Sequence, residues 1–297
     1  MSVYSGNRSK ESSLFLPCPF PGKGISGERL PPFIPGFRLT EFCGKGGIGS
    51  VWKGKDSKGT PLAFRIVCKK EESSWKKDQE SILLYREKIP PFKNLLPILF
   101  CGEKRDFCYA VTPLADNLFP GKKYTADTLS NRLKTASYFP IPRHRIFSFM
   151  EDLIEAVKVL HKNGLAHNDI KPENILFIKK TPILTDFGLA APLTEKSRGG
   201  TTGYRPPWQD PTGKECDIYA LGKILYTLFS GKDASFYPLL QETLPYREEM
   251  LFFFNSLILK SCSSEAEKRI SSATEFGELF REGKKVFSPR EEDSSSC

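Results

Sequence analysis

Between about residues 37 and 114, apolar and polar positions alternate in short runs: "FRLTEF", "SVWKGK", "LAFRIV" and "FCYAVTPL". A period of two puts successive side chains on opposite faces, so these runs predict strands. "KDSKGT", between the second and third, has the composition of a hairpin turn. One helix, over about residues 74–88, interrupts them, with Glu80 and Leu84 one turn apart on the same face. From about residue 126 the period becomes helical. Ile146, Phe149, Met150, Leu153, Val157 and Leu160 mark an amphipathic helix ended by Gly164. "DIYALGKILYTLFSG" predicts a strongly apolar, central helix ending at Gly231, and Ser272 with Glu275 makes a capping box for the last helix. The expected fold class is α+β, with a small antiparallel β lobe carrying one helix, followed by a larger helical lobe.

Composition sets the limits of that domain. Residues 1–35, with "PCPFPGKGISGERLPPFIPG", read as an irregular extension, and residues 284–297, "KKVFSPREEDSSSC", as a polar tail. The folded domain is therefore expected over residues 36–283, with lobes over about 36–114 and 115–283. A chain of 297 residues, 39% hydrophobic and 27% charged, has ample material for a core. The apolar run at residues 250–259 is broken by Asn255 and Ser256 and is too short to cross a bilayer. "SLFLPCPF" near the start is short and interrupted by prolines, so no signal peptide is expected. The eight cysteines form no Cys-x-x-Cys pair, which favours thiols in a reducing cytoplasm over a disulfide framework or a zinc site. A net charge of +9 favours acidic partners, phosphorylated ligands among them. The lysines are scattered, with no long basic run and no RNA-binding aromatic motif, so nucleic acid is not an expected partner.

Two stretches change the picture. "CGKGGIGSV" sets Gly44, Gly46 and Gly49 in G-x-G-x-x-G spacing. A dinucleotide-binding fold would follow these glycines with a helix and, about twenty positions on, an acidic residue. A strand, a turn and a second strand follow instead, so the glycines belong to a hairpin whose backbone amides can close over phosphates. In "LAFRIV", Leu62, Phe64 and Ile66 share one face and Ala63, Arg65 and Val67 the other. The lone guanidinium reads either as an edge charge that discourages aggregation or as a cation aimed at an anion.

With "HNDIKPENIL", "TDFGLA" and "GTTGYRPPW" in order after the glycine hairpin, the chain resembles the eukaryotic-type Ser/Thr protein kinase family over about residues 37–283. The tone of "IPGFRL", "PLADN" and "GYRPP" resembles its bacterial branch. The resemblance implies ATP and Mg²⁺ as cofactors and a protein substrate with a Ser or Thr acceptor. It implies that Asp169 accepts or orients the acceptor's hydroxyl proton, that Lys171 lies against the transferring phosphate, and that Thr201 hydrogen-bonds near Asp169. Asn174 and Asp186 match the Mg²⁺ ligands. Val51, Ala63 and Leu176 match the apolar positions around adenine. Residues 109–115 match the linker between lobes: Thr112 limits the back pocket, Pro113 offers its carbonyl and Ala115 its amide. Asp217 matches the aspartate that braces the catalytic loop from behind.

The chain also departs from the family. Arg65 stands where the family has lysine, and its expected partner is Glu80. Arginine is longer, planar and forked, so the exchange is not conservative, and an Arg65→Lys change is expected to be tolerated or to help. Lys45, inside the glycine loop, and Lys53 lie nearby and could serve the phosphates, with surface solvation the plainer reading. Asn168 replaces an arginine that meets an activating phosphate, and a neutral amide makes no such ion pair. Trp208 replaces a glutamate, leaving Arg269 to stack on the indole or to find another carboxylate. Three readings follow: a Ser/Thr protein kinase, a pseudokinase that binds nucleotide or acts as a scaffold, and a small-molecule kinase. "GGTTGY" and the pair Lys171–Pro172 argue against the last.

Overall fold

A computed structural model of the chain describes residues 31–45, 49–69, 72–135, 139–197, 199–238 and 246–287. The first lobe is a five-stranded antiparallel sheet in the order β1-β2-β3-β5-β4. Its strands are β1 (Phe37–Lys45), β2 (Gly49–Asp56), β3 (Pro61–Cys68), β4 (Phe100–Glu103) and β5 (Phe107–Pro113). Four of them coincide with the alternating runs. β4 is four residues long and has no alternation to reveal it. Leu62, Phe64 and Ile66 point together into a core with Ile34, Leu39, Trp52, Phe107 and Val111. Ile34 is fully buried, so the end of the expected irregular extension packs into this lobe.

Helix α1 (Glu72–Lys88) follows β3 and packs chiefly on the turn at residues 187–189. Its buried positions are Asp78, Ile82 and Tyr85, at i, i+4 and i+7, whereas Glu80 is exposed. The inward face is therefore not the one that Glu80 occupies. Tyr85 belongs to the core of the second lobe, which makes α1 a bridge between the two.

The second lobe holds α2 (Leu129–Leu133), α3 (Arg143–Lys162), α4 (Gly213–Ser230), α5 (Glu248–Ser261) and α6 (Ala273–Phe287). Short strands β6 (Leu165–Ala166) and β9 (Ala191–Pro192) pair with each other, as do β7 (Ile175–Ile178) and β8 (Thr181–Leu184). All six apolar positions that mark α3 in the sequence are buried. Helix α4 is buried along nearly its whole length, as its all-round apolar sequence requires. A full capping box between Thr212 and Glu215 starts it, and Gly231 ends it in the left-handed conformation, φ +67°. The cap of α6 is half of the expected box: Ser272 Oγ accepts the Glu275 N–H at 3.1 Å, but the Glu275 carboxylate turns to the Ser271 N–H at 2.8 Å. Helix α6 runs on to Phe287, with Lys284 Nζ 2.8 Å from Glu151, so the expected tail boundary at 284 falls inside the helix. Among the described residues no helix is long and apolar enough to cross a membrane.

Candidate active site

The loop after β6 is held from below. Asp217, fully buried on α4, accepts the backbone N–H of His167 at 2.8 Å and of Asn168 at 2.9 Å. His161 Nε2 lies 3.0 Å from the same carboxylate. A buried carboxylate is tolerated only when its oxygens are satisfied in this way, so Asp217 and the loop fix one another. His167 continues the brace: its Nδ1 accepts the Asp169 N–H at 3.2 Å and its Nε2 faces the Thr185 carbonyl at 2.8 Å. Asn168 sits at φ +68°, and its Nδ2 donates to the Leu189 carbonyl at 3.0 Å. Asparagine is among the few residues that adopt this conformation readily.

Above this base lies a closed polar ring. Asp169 Oδ1 accepts the Thr201 hydroxyl at 2.7 Å, and Lys171 Nζ lies 2.7 Å from both Thr201 Oγ1 and Asp169 Oδ2. Asn174 Nδ2 donates to the Asp169 carbonyl at 2.8 Å and to Oδ2 at 3.0 Å. With the amide nitrogen so engaged, the oxygen of Asn174 is the atom available to a cation. Asp186, at φ +66° and with 42% of its side chain exposed, presents the second oxygen donor. No group of three or more His, Cys, Asp or Glu that could hold a metal occurs among the described residues. Two hard oxygen donors suit Mg²⁺, which completes its shell with phosphate and water.

Arg65 lies on the cleft face of β3. Its cross-strand partners are Val51 and Ala110, and those of Ala63 are Lys53 and Thr112. Directly opposed residues share a face, so Val51, Ala63, Arg65 and Thr112 come together as the sequence predicts. Arg65 does not pair with Glu80. Its guanidinium forks onto Asp78, with Nη1–Oδ2 at 2.5 Å and Nη2–Oδ1 at 2.6 Å, and Nη2 lies 3.4 Å from Asp186 Oδ1. The reason is the register of α1, which turns Asp78 inward and Glu80 out. Gly188 makes room for this pair, because a Cβ there would lie 2.1 Å from Asp78 Oδ1.

The remaining cleft positions are less tightly specified. Gly44 is half-buried and Lys45 exposed at the end of β1, and Gly46 lies outside the described residues. At Gly49 a Cβ would meet the Ile66 carbonyl at 2.7 Å, so this glycine is required by the hairpin itself. Lys53 Nζ lies 4.9 Å from the centre of the Tyr124 ring and 3.7 Å from Glu41, which accounts for its charge without phosphate. Thr112 and Pro113 are half-buried at the end of β5, Ala115 is buried, and its carbonyl accepts the Tyr124 hydroxyl at 3.3 Å. Leu176 is half-buried on β7. Burial pushes the thiols of Cys43 and Cys108 up to about 11, which favours their protonated form.

Both alternatives left open for Arg269 are realised. Its guanidinium carbon lies 4.0 Å from the centre of the Trp208 ring, and its Nη1 contacts Glu215 Oε1. The segment between Asp186 and Trp208 is tied by Arg205, which donates to the carbonyls of Ser197 and Gly199 at 2.9 Å each. Asp78, Gly188, Arg205 and Glu215 carry contacts that the sequence motifs do not reveal. The i, i+4, i+7 set of Asp78, Ile82 and Tyr85 was the signal that could have found the first.

A five-stranded antiparallel sheet with a cation fixed on β3, next to a helical lobe that carries an Asp-Lys-Asn loop and a second aspartate, matches the two-lobed protein kinase fold. The chain belongs to the protein kinase family: the family model described as "Protein kinase domain" matches residues 37–276. It is similar to the serine/threonine-protein kinase TIO of Arabidopsis thaliana, 26% identical over 80% of this chain and 18% of that protein. It is also similar to the serine/threonine-protein kinase PrkC of Bacillus subtilis (strain 168), 27% identical over 71% of this chain and 32% of that protein. The probable dual specificity protein kinase madd-3 of Caenorhabditis elegans is 29% identical over 66% of this chain and 24% of that protein. The chain thus spans about a third or less of the length of these relatives.

Proposed function

We propose that the protein is an ATP- and Mg²⁺-dependent protein serine/threonine kinase. The observation that carries this reading is the closed ring of Asp169, Thr201 and Lys171, each 2.7 Å from the next, with Asn174 held on Asp169 at 2.8 and 3.0 Å. Such a ring serves no packing purpose, and it holds one carboxylate ready to orient a hydroxyl and take its proton. Lys171 places a positive charge beside that carboxylate, where negative charge develops during transfer. Asn174 and Asp186 offer oxygen donors for Mg²⁺, Val51, Ala63 and Leu176 the walls for an adenine ring, and Pro113 and Ala115 its backbone partners. Bound Mg-ATP supplies the phosphoryl group and neutralises its charge. The pairing of Lys171 with Thr201, and the Ser/Thr kinases among the similar proteins, support serine and threonine as acceptors. Free cysteines throughout the described residues agree with a reducing compartment such as the cytoplasm.

One observation favours the second reading, a nucleotide-binding pseudokinase. Arg65 Nη2 already lies 3.4 Å from Asp186 Oδ1, a cation beside a carboxylate that a metal needs. Transfer of labelled γ-phosphate to the protein itself and to a generic protein substrate separates the two. Phosphate on Ser or Thr with wild type, and none with Asp169→Asn, is the expected result; equal background from both proteins overturns the kinase reading.

A further inference from the structure

At the end of α3 opposite the His161–Asp217 contact, a cavity of about 400 Å³ lies between the starts of α3 and α5. Small-molecule sites commonly measure about 300–1,000 Å³ and combine apolar walls with a few charged groups. The lining here has that make-up. Ile141 and Met250, 3% and 1% exposed, supply an apolar base, and Pro140, Pro142 and the half-buried Tyr246 supply the walls. Tyr246 is tied at both ends: its hydroxyl donates to the Ile141 carbonyl at 2.8 Å, and its ring meets Phe229 edge-on with centres 5.4 Å apart. Prolines have no side-chain freedom to lose, so these walls are formed before any ligand arrives.

Two guanidiniums complete the lining, those of the half-buried Arg143 and the exposed Arg247. Neither side chain has an ion-pair or hydrogen-bond partner among the described residues. Glu248 and Glu249, in the first turn of α5, pair with neither arginine and are not among the residues that line the cavity. Helices α3 and α5, 20 and 14 residues long, both start here, at Pro142 and Arg247, with no side-chain cap. Their first-turn N–H groups and dipoles add to the positive potential of the two arginines. A bare alkyl chain would leave the guanidiniums unanswered, and a bare anion would leave the apolar walls in water. A ligand with both parts answers both.

We propose that this cavity binds an amphipathic anion, with an alkyl chain against Pro140, Ile141, Pro142, Tyr246 and Met250 and a carboxylate or phosphate head between Arg143 and Arg247. Both heads accept the forked hydrogen bonds of a guanidinium, which is the chemistry they share. None of the lining residues belongs to the nucleotide cleft or the catalytic loop, so the inference does not depend on the kinase reading.

The test titrates octanoate, octyl phosphate, octanol and acetate, all below micelle formation, into the full chain, with calorimetry for affinity and methionine-methyl NMR for location. Octanoate or octyl phosphate should saturate one site, and the tighter of the two identifies the head group. The Met250 methyl signal should move while that of Met150, fully buried on α3, stays in place. Arg143→Gln and Arg247→Gln should each weaken the anion about tenfold, the scale of a lost hydrogen bond to a charged group, and leave octanol binding and the melting temperature unchanged. Octanol as tight as octanoate makes the site a mere apolar patch, and acetate as tight makes it a mere charged surface; either overturns the proposal. So does binding that never saturates, binding unaltered in the double arginine variant, or displacement by Mg-ATP, which would put the anion in the nucleotide cleft. If the expected pattern appears in a protein that transfers no phosphate, the kinase reading fails and the cavity site stands. If transfer is robust and no probe binds, the cavity site fails and the kinase reading stands.

Discussion

Gly188→Ala gives the sharpest view of how tightly the cleft is built. Gly188 is not among the glycines with positive φ, so alanine fits its backbone. Such an exchange ordinarily stabilises a protein by about 0.4–1 kcal/mol, because the unfolded chain loses freedom. Here the sign should reverse. The new Cβ would lie 2.1 Å from Asp78 Oδ1, well inside the 3.4 Å at which ordinary contact begins, and 3.0 Å from Arg65 Nη2. Asp78 has 4% of its side chain exposed and both oxygens engaged, so it has nowhere to withdraw without leaving the guanidinium. Breaking a buried ion pair costs about 3–5 kcal/mol when one charge is left behind. Arg65 keeps 21% of its side chain exposed and can rehydrate in part, which brings the expected cost to the low end of that range. After the gain from alanine, a net loss of about 2–3 kcal/mol remains. Urea unfolding followed by tryptophan fluorescence should show a lower midpoint at unchanged slope, with weaker Mg-ATP affinity in the same protein. A Gly188→Ala protein as stable as wild type, with unchanged affinity, would refute the packing of Asp78 against this segment.

Three further outcomes follow from the same geometry. Thr201→Val removes the hydroxyl that joins Lys171 to Asp169, and should lower kcat by about 1.5–3 kcal/mol, the scale of a hydrogen bond to a charged group, while ATP affinity holds; Thr201→Ser should recover most of it, and an unchanged kcat in Thr201→Val contradicts the ring. Because Asn168 and Arg205 are engaged by the neutral carbonyls of Leu189, Ser197 and Gly199, phosphatase-treated enzyme should keep its full rate; a large loss mapped by mass spectrometry to Thr194, Ser197 or Thr202 contradicts this. Burial opposes ionisation of Glu215, but hydrogen bonds from Thr212 and the Arg269 charge outweigh it and hold the carboxyl below its ordinary range. Its contribution to stability is thus fully present above the ordinary glutamate value of about 4.3 and is lost as pH falls through the lower folded value. Glu215→Gln should flatten that part of the acid-unfolding curve, and superimposable curves would rule the linkage out.

What the sequence disclosed depended on whether the deciding chemistry was local. The Asp169, Lys171 and Asn174 set lies within six residues, so one short motif carried it through the resemblance to the kinase family, and the same resemblance marked Asp217. The alternation in "LAFRIV" correctly sent Arg65 to the face opposite the core. Choosing its acid partner required the rotation of α1, and that helix carries a weak apolar pattern. Leu83 is exposed while Leu84 packs on the core, so only the buried trio Asp78, Ile82 and Tyr85 settles the register. Glu215 was hidden for a different reason. It meets Arg269 from 54 residues away because the Thr212 cap fixes it in the first turn of α4, and no local pattern encodes that distance.

Parallel single-turnover phosphate transfer by wild type and Arg65→Ala at saturating Mg-ATP shows whether Arg65 takes part in the transfer. Removing an electrostatic contact made in a water-poor site should slow transfer by about 2–4 kcal/mol, roughly 30- to 1000-fold. Wild-type transfer matched by Arg65→Ala would leave the guanidinium as a strand-face charge with no part in the reaction, and would contradict the account.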